Sequence, residues 1–156
     1  MVPERIRRLD AAGFTMAELM VAVAIIGILT AVGVPFFITY YQAMQLRSAA
    51  DEMATVLNSG RYQAIKQNTL MCVAMNANRV QYLIGGCGGP PWQGPGTDTA
   101  GFISLQNTMQ VSAVTANVVF TNLGAAAVGG TYTVRNPANG NTLTVTVAGS
   151  GRITIP

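Results

Sequence analysis

The chain has 156 residues, room for one domain of ordinary size, and 50% of them are hydrophobic while only 10% are charged. A soluble domain is typically about 25% charged, so the composition argues against an average cytosolic enzyme. The net charge of +3 includes a single lysine, Lys66, which argues against a dense basic patch for nucleic acid, and the absence of histidine excludes Ser-His-Asp and Cys-His catalysis and His-ligated zinc or haem.

Residues 1–13 carry Arg5, Arg7 and Arg8 and precede an apolar run at 19–38; no charge occurs between Glu18 and Arg47. About twenty apolar residues at about 1.5 Å each cover a hydrocarbon core of roughly 30 Å, so the run predicts one membrane-spanning helix. The small residues Ala11, Ala12 and Gly13 lie before the apolar run rather than after it, the reverse of an ordinary secretory signal. The positive-inside rule keeps the arginine end cytoplasmic and sends the rest of the chain outward, into the periplasm of a Gram-negative cell. Glu18 is the odd residue, a carboxylate at the head of an apolar helix. Either it snorkels to the headgroups, aided by the helix dipole, or another subunit supplies a charge partner.

The segment GFTMAELMVAVAIIGILTAVGVP, residues 13–35, resembles the type IV prepilin signature shared by type IV pilins and type II secretion pseudopilins. The resemblance implies that a prepilin peptidase cuts between Gly13 and Phe14 and methylates the new Phe14 amine. It implies that 1–13 is a leader peptide, 14–40 the transmembrane and filament-core half of a helix, and 41–156 a periplasmic globular domain. It also implies that Glu18 neutralises the N-terminal amine of a neighbouring subunit in the filament core. Gly33 and Pro35 predict a bend or local melting, because proline lacks the amide donor and crowds the preceding turn; the family implication is a stretch that loosens when the subunit leaves the bilayer.

Beyond Tyr40 the pattern turns amphipathic. Leu46, Ala50, Met53, Leu57 and Ala64 keep close to a 3.6-residue period, and the helix is expected to run from Phe14 to about Gln67. Met44 and Met53 are read as core. Short β-branched runs then predict antiparallel strands at 70–75, 79–84, 102–105, 109–115, 118–121, 131–135, 142–147 and 152–155, with hairpin-like turns at 76–78 and 136–140. Helix first and strands afterwards give an α+β fold, the sheet laid on the amphipathic half of the helix.

The stretch LRSAADEMATVLNSGRYQAIKQN, followed by VVFTNLG, GTYTVRN and the terminal SGRITIP, is similar to the GspH/FimT group of minor pseudopilins and minor pilins. That resemblance implies a pilin-like α+β fold and a low-abundance subunit at or near a filament tip. Its implied partners are other pilin or pseudopilin subunits, the prepilin peptidase and inner-membrane lipid before assembly. Cys72 and Cys87 are too few for a four-thiolate metal site and suit one structural disulfide. The glycine-rich run at 85–96 between them lacks a phosphate-loop pattern and reads as a flexible surface loop, with Trp92 at its tip or folded back on the core. Trp92 is a candidate partner contact, since exposed tryptophans are frequent hot spots.

Some DNA-uptake members of the group are thought to use a C-terminal Gly-Arg-x-Arg motif. Here Gly151 and Arg152 match, but Thr154 replaces the second arginine; Arg135 and Arg79 are candidates to reinforce Arg152 if the fold brings them close. The alternative function is therefore a DNA-binding minor pilin for natural transformation. No enzyme, cofactor, metal or small-molecule substrate is expected: Asp51 and Glu52 are adjacent and diverge by about 100° on a helix, and Asp98 has no carboxylate partner.

Overall fold

The computed structural model describes residues 13–76, 78–105 and 109–156. Most of the expected leader, and Ala77 in the expected turn at 76–78, lie outside the described residues. Contacts divide the chain into two compact units that part between Tyr40 and Tyr41.

One helix, α1 (Met16–Lys66), is followed by nine strands: β1 (Met71–Asn76), β2 (Arg79–Ile84), β3 (Phe102–Ser104), β4 (Gln110–Val114), β5 (Val118–Phe120), β6 (Ala126–Val128), β7 (Gly130–Arg135), β8 (Thr142–Val147) and β9 (Ile153–Thr154). All pairings are antiparallel and make two sheets, ordered β3-β2-β1-β5-β6 and β4-β7-β8-β9. The α+β class and eight of the strands follow the sequence reading to within a residue or two. The strand β6 was not expected, because Ala126 and Ala127 carry little β preference; pairing with β5 makes it a strand.

The second unit is built on one seam. Leu46, Ala49, Ala50, Met53, Val56, Leu57, Gly60 and Ala64 are the buried positions of α1, spaced by three or four residues so that they share a face. Met44 does not belong to it: two residues before Leu46 is a rotation of about 200°, and Met44 is exposed. Along the strands every second residue turns inward, as in Tyr132 and Val134 on β7 and Val145 and Val147 on β8. Fully buried side chains such as Met53 and Leu57 each contribute about 1.5–3 kcal/mol of transfer free energy.

Two buried phenols tie the layers. The Tyr82 hydroxyl on β2 donates to the Val56 carbonyl of α1 at 2.7 Å. The Tyr132 hydroxyl on β7 donates to the Val73 carbonyl at 3.3 Å and accepts from the Val118 amide at 3.2 Å, joining one sheet to the other. Burial pushes the Tyr132 phenol up to about 12 and the Tyr82 phenol also upward, so both stay protonated donors at any physiological pH.

The helix lies against the sheet most closely at Gly60. A Cβ there would stand 2.7 Å from Val73 Cγ2 and 3.2 Å from Tyr82 Cε1. Alanine is a better helix former than glycine by about 1 kcal/mol, yet Val73 is β-branched and buried and has little freedom to yield. Gly60→Ala is therefore expected to lower stability by a net of about 1–2 kcal/mol. Urea denaturation of the domain beginning at Tyr41 checks the sign, and a gain in stability would show that the seam is looser than its geometry.

Candidate functional site

Gly13, Phe14 and Thr15 precede the first turn of α1 and are exposed. Thr15 is the N-cap. Its hydroxyl oxygen accepts from the Glu18 amide at 3.2 Å, while Glu18 Oε2 accepts from the Thr15 amide at 2.9 Å and from the Thr15 hydroxyl at 3.1 Å. These reciprocal bonds make a capping box, so the carboxylate is held by the start of its own helix. The cue was present as Thr-x-x-Glu just before an apolar run, but a sequence reading that treats Glu18 only as an isolated charge passes over it.

From Leu19 to Ile38 the large apolar side chains of α1 are exposed around the whole circumference. Among the described residues this is one helix long and apolar enough to cross a membrane, and the apolar window is 0% buried. A continuous surface of this kind needs cover from lipid or from other helices. The helix runs unbroken through Gly33 and Pro35, so the local melting expected there is not present in the chain by itself. The missing proline amide costs one backbone bond, to the Ala31 carbonyl one turn before it. The Thr39 hydroxyl reaches back to the Pro35 and Phe36 carbonyls at 3.0 and 2.9 Å, a second set of bonds on the turn after the proline.

In the second unit Cys72 of β1 is bonded to Cys87, with Cα atoms 5.0 Å apart, so the expected disulfide is formed. It anchors the glycine-rich loop rather than leaving it free. The Gly85 amide donates to Leu70 O and the Trp92 amide to Tyr82 O, both at 2.8 Å. The Trp92 ring folds back over Tyr82, with centroids 5.8 Å apart and planes tilted by 49°. It is half-buried against the core and not a projecting tip, and it forms one wall of a cleft of about 290 Å³ beside α1. Gly94 permits this, because a Cβ there would lie 2.2 Å from the indole.

Asp98 closes the loop. Its Oδ1 accepts from the Phe102 amide at 2.8 Å and the Ala100 amide at 2.9 Å, and its Oδ2 pairs with Arg79, whose guanidinium lies 4.3 Å from the Phe102 ring centroid. The Phe102 amide first, then the Ala100 amide and the Arg79 charge, hold the Asp98 carboxyl below its ordinary range.

The arginines singled out in the sequence are not gathered. Gly151 has φ of 80°, and a Cβ there would fall 2.0 Å from the Gly124 carbonyl oxygen, so this glycine is required by packing. Arg152 follows it exposed, its carbonyl bonded to the Ala148 amide just past the end of β8. Arg135 pairs with Thr142 at the other end of β8, roughly 20 Å away along the strand. Arg79 belongs to the other sheet and is engaged by Asp98. Among the described residues there is no cluster of His, Cys, Asp and Glu side chains able to hold a metal ion.

Two family models match the chain, the prokaryotic N-terminal methylation motif over residues 8–34 and the type II transport protein GspH over residues 49–151. Among solved structures it is similar to the minor pseudopilin EpsH from the type 2 secretion system of Vibrio cholerae. The identity is 12% over 72% of this chain and 96% of that one, with a TM-score of 0.54. It is also similar to the type IV minor pilin FimU of Pseudomonas aeruginosa in two crystal forms. These match at 15% and 17% identity, covering 75% and 71% of this chain and 92% of each FimU chain, with TM-scores of 0.51 and 0.50. At such identities the likeness carries the fold. No curated protein matches the chain.

The Asp98 geometry sets a pH dependence for the loop. A carboxyl whose folded pKa is depressed stabilises the folded loop above its unfolded pKa, and that contribution disappears as pH falls through the folded value. Trp92 is the single tryptophan, so its emission reports on this loop alone. Acid titration is expected to change that emission only below the ordinary carboxylate range, and Asp98→Asn to shift neutral-pH emission toward the acid form. Identical titrations of the two proteins would separate the loop from Asp98.

Proposed function

The chain belongs to the GspH family of type II transport proteins, structural subunits of the pilin and pseudopilin kind, and from that premise we propose how this one is processed and assembled. It is a minor pseudopilin or minor pilin of a type II secretion system or type IV pilus. The leader 1–13 is removed between Gly13 and Phe14 and the Phe14 amine is methylated by a prepilin peptidase. The apolar half of α1, residues 14–40, holds the subunit in the inner membrane with the domain of residues 41–156 in the periplasm, and then moves into the filament core. The subunit takes a place at or near the tip.

The observation that carries this reading is the exposed apolar helix headed by a single carboxylate. Lipid covers the apolar surface before assembly and neighbouring helices cover it afterwards. Because transfer from lipid to a helix bundle brings no large hydrophobic gain, a specific polar contact is needed to give direction and register. Glu18 supplies it. Cleavage at Phe14 creates an ammonium group close to the Thr15–Glu18 box, and the carboxylate exchanges its own capping bonds for the amine of a neighbouring subunit. In a low-dielectric core such a pair is far stronger than at a water-exposed surface.

The spread of Arg79, Arg135 and Arg152 over two sheets supports assembly over DNA capture, since phosphate binding strength rises with the number of cations presented together.

Two measurements test the proposal. Mass spectrometry of the processed protein is expected to find N-methylated Phe14 as the first residue; any other N-terminus removes the processing step. Glu18→Ala is expected to insert in the membrane as before, and to lose incorporation into filaments by at least about tenfold, the value of a lost charge-assisted contact. Undiminished incorporation would remove Glu18 from the assembly contact.

A further inference from the structure

The turn that joins β7 to β8 carries the only Asn-Gly dipeptide of the sequence, Asn139–Gly140. The pair is intrinsically labile. The backbone nitrogen of the second residue attacks the side-chain carboxamide of the first, and a glycine, with no Cβ, leaves that approach open. Both residues are exposed, so water reaches them. Whether the chemistry runs is decided by the hydrogen bonds of the atoms that take part.

Each of those atoms is engaged. The Gly140 amide, the nucleophile, donates to Asn136 O at 2.8 Å. Asn139 Nδ2, the leaving group, donates to Gln42 Oε1 of α1 at 3.0 Å, and Asn139 Oδ1 accepts from the Asn141 amide at 2.9 Å. Asn136, buried at 2% exposure, fixes the turn from beneath: its amide donates to Asn141 O at 2.8 Å, and its Oδ1 accepts from the Ala138 amide at 2.9 Å. A nitrogen whose proton is held by one carbonyl is not free to lose it and attack, and a carboxamide held at both ends does not turn to meet it.

The nearby charge acts the other way. Arg135 Nη2 lies 3.8 Å from where a Cβ on Gly140 would stand, and a cation there favours the amide anion that the attack requires. The turn is thus electrostatically disposed to react and conformationally held from reacting.

We propose that Asn139 is a deamidation site kept closed by the fold, and that its bond to Gln42 is both the latch of the β7–β8 turn on α1 and the guard on that reaction. When the turn opens, the Gly140 nitrogen gives up its proton and bonds to Asn139 Cγ; the Cγ–Nδ2 bond breaks, and Nδ2 leaves as ammonia with that proton. The succinimide ring then takes up water at one of its two carbonyls and opens to aspartate or isoaspartate, with nothing oxidised or reduced. Aspartate has no donor for Gln42 Oε1, and isoaspartate adds an atom to the backbone of a turn whose strands pair residue for residue from Arg135 and Thr142. Either product covalently marks a chain whose hairpin has left the helix. The site lies in the second unit and is independent of how the chain assembles.

The test incubates the purified full chain in detergent at mildly alkaline pH, native and in urea, and follows residue 139 by peptide mass spectrometry that resolves isoaspartate from aspartate. The unfolded chain is expected to convert Asn139 at least about tenfold faster than the native one, because the reactive fraction is the open fraction. Gln42→Ala, a substitution by a good helix former, is expected to speed native conversion about threefold or more while Trp92 emission stays native. Equal rates in the two states, or no conversion of Asn139 in urea, would overturn the closed site. An unchanged native rate in Gln42→Ala would overturn the guard, and so would a rise accompanied by loss of the native Trp92 emission, which would assign it to general unfolding.

Discussion

The packing of α1 against β1 and β2 at Gly60 is the constraint on which the rest of the second unit depends. Only a residue without a side chain lets the helix come within contact of Val73 and Tyr82. That approach brings the Tyr82 hydroxyl to a helix carbonyl, and Trp92 then has a flat partner to fold against. The disulfide and the Asp98 bonds fix the loop that carries Trp92, and the cleft beside the helix is what remains between that loop and α1. On the far side Tyr132 carries the same support from the first sheet to the second. A glycine in the middle of a long helix is thus a packing requirement, although propensity alone would count it a weakness.

The apolar half of α1 answers to a different physics. Its residues bury nothing within the chain, and its order comes from backbone bonds that hydrocarbon offers no partner to replace. The single polar device at its head is local, a threonine and a glutamate three residues apart. The same carboxylate therefore completes the helix start and stays exposed at the surface.

Much of this architecture was legible in the sequence because it is written in periods. The buried stripe from Leu46 to Ala64 and the alternation along β7 and β8 are visible in one dimension, and so is the switch from uniformly apolar to amphipathic near Tyr40. What escaped depends on distance in space. The separation of Arg135 from Arg152 follows from their lying at opposite ends of β8, and no residue pattern reports that. The inward fold of Trp92 depends on Gly94 and Tyr82 together. β6 is a strand because β5 pairs with it, and Met44 faces outward through a rotation of two residues that a methionine count does not register. The capping box is a different case, since Thr15 and Glu18, three residues apart ahead of an apolar run, write it in the sequence.

The strand order also bears on the sequence of folding events. β1 with β2, and β7 with β8, are neighbours in the chain and pair residue for residue across short turns, so they close at little entropic cost. The pairing of β1 with β5 is of another kind, since Met71 meets Phe120 and Val73 meets Val118 across three intervening strands and the tethered loop. By loop-closure entropy the local hairpins are expected to form before the β1–β5 ladder. The two hairpins belong to different sheets, so a chain that has closed both of them and nothing else holds two separate bodies, and the Tyr132 hydroxyl, set between Val73 of β1 and Val118 of β5, is where the completed first sheet receives the second.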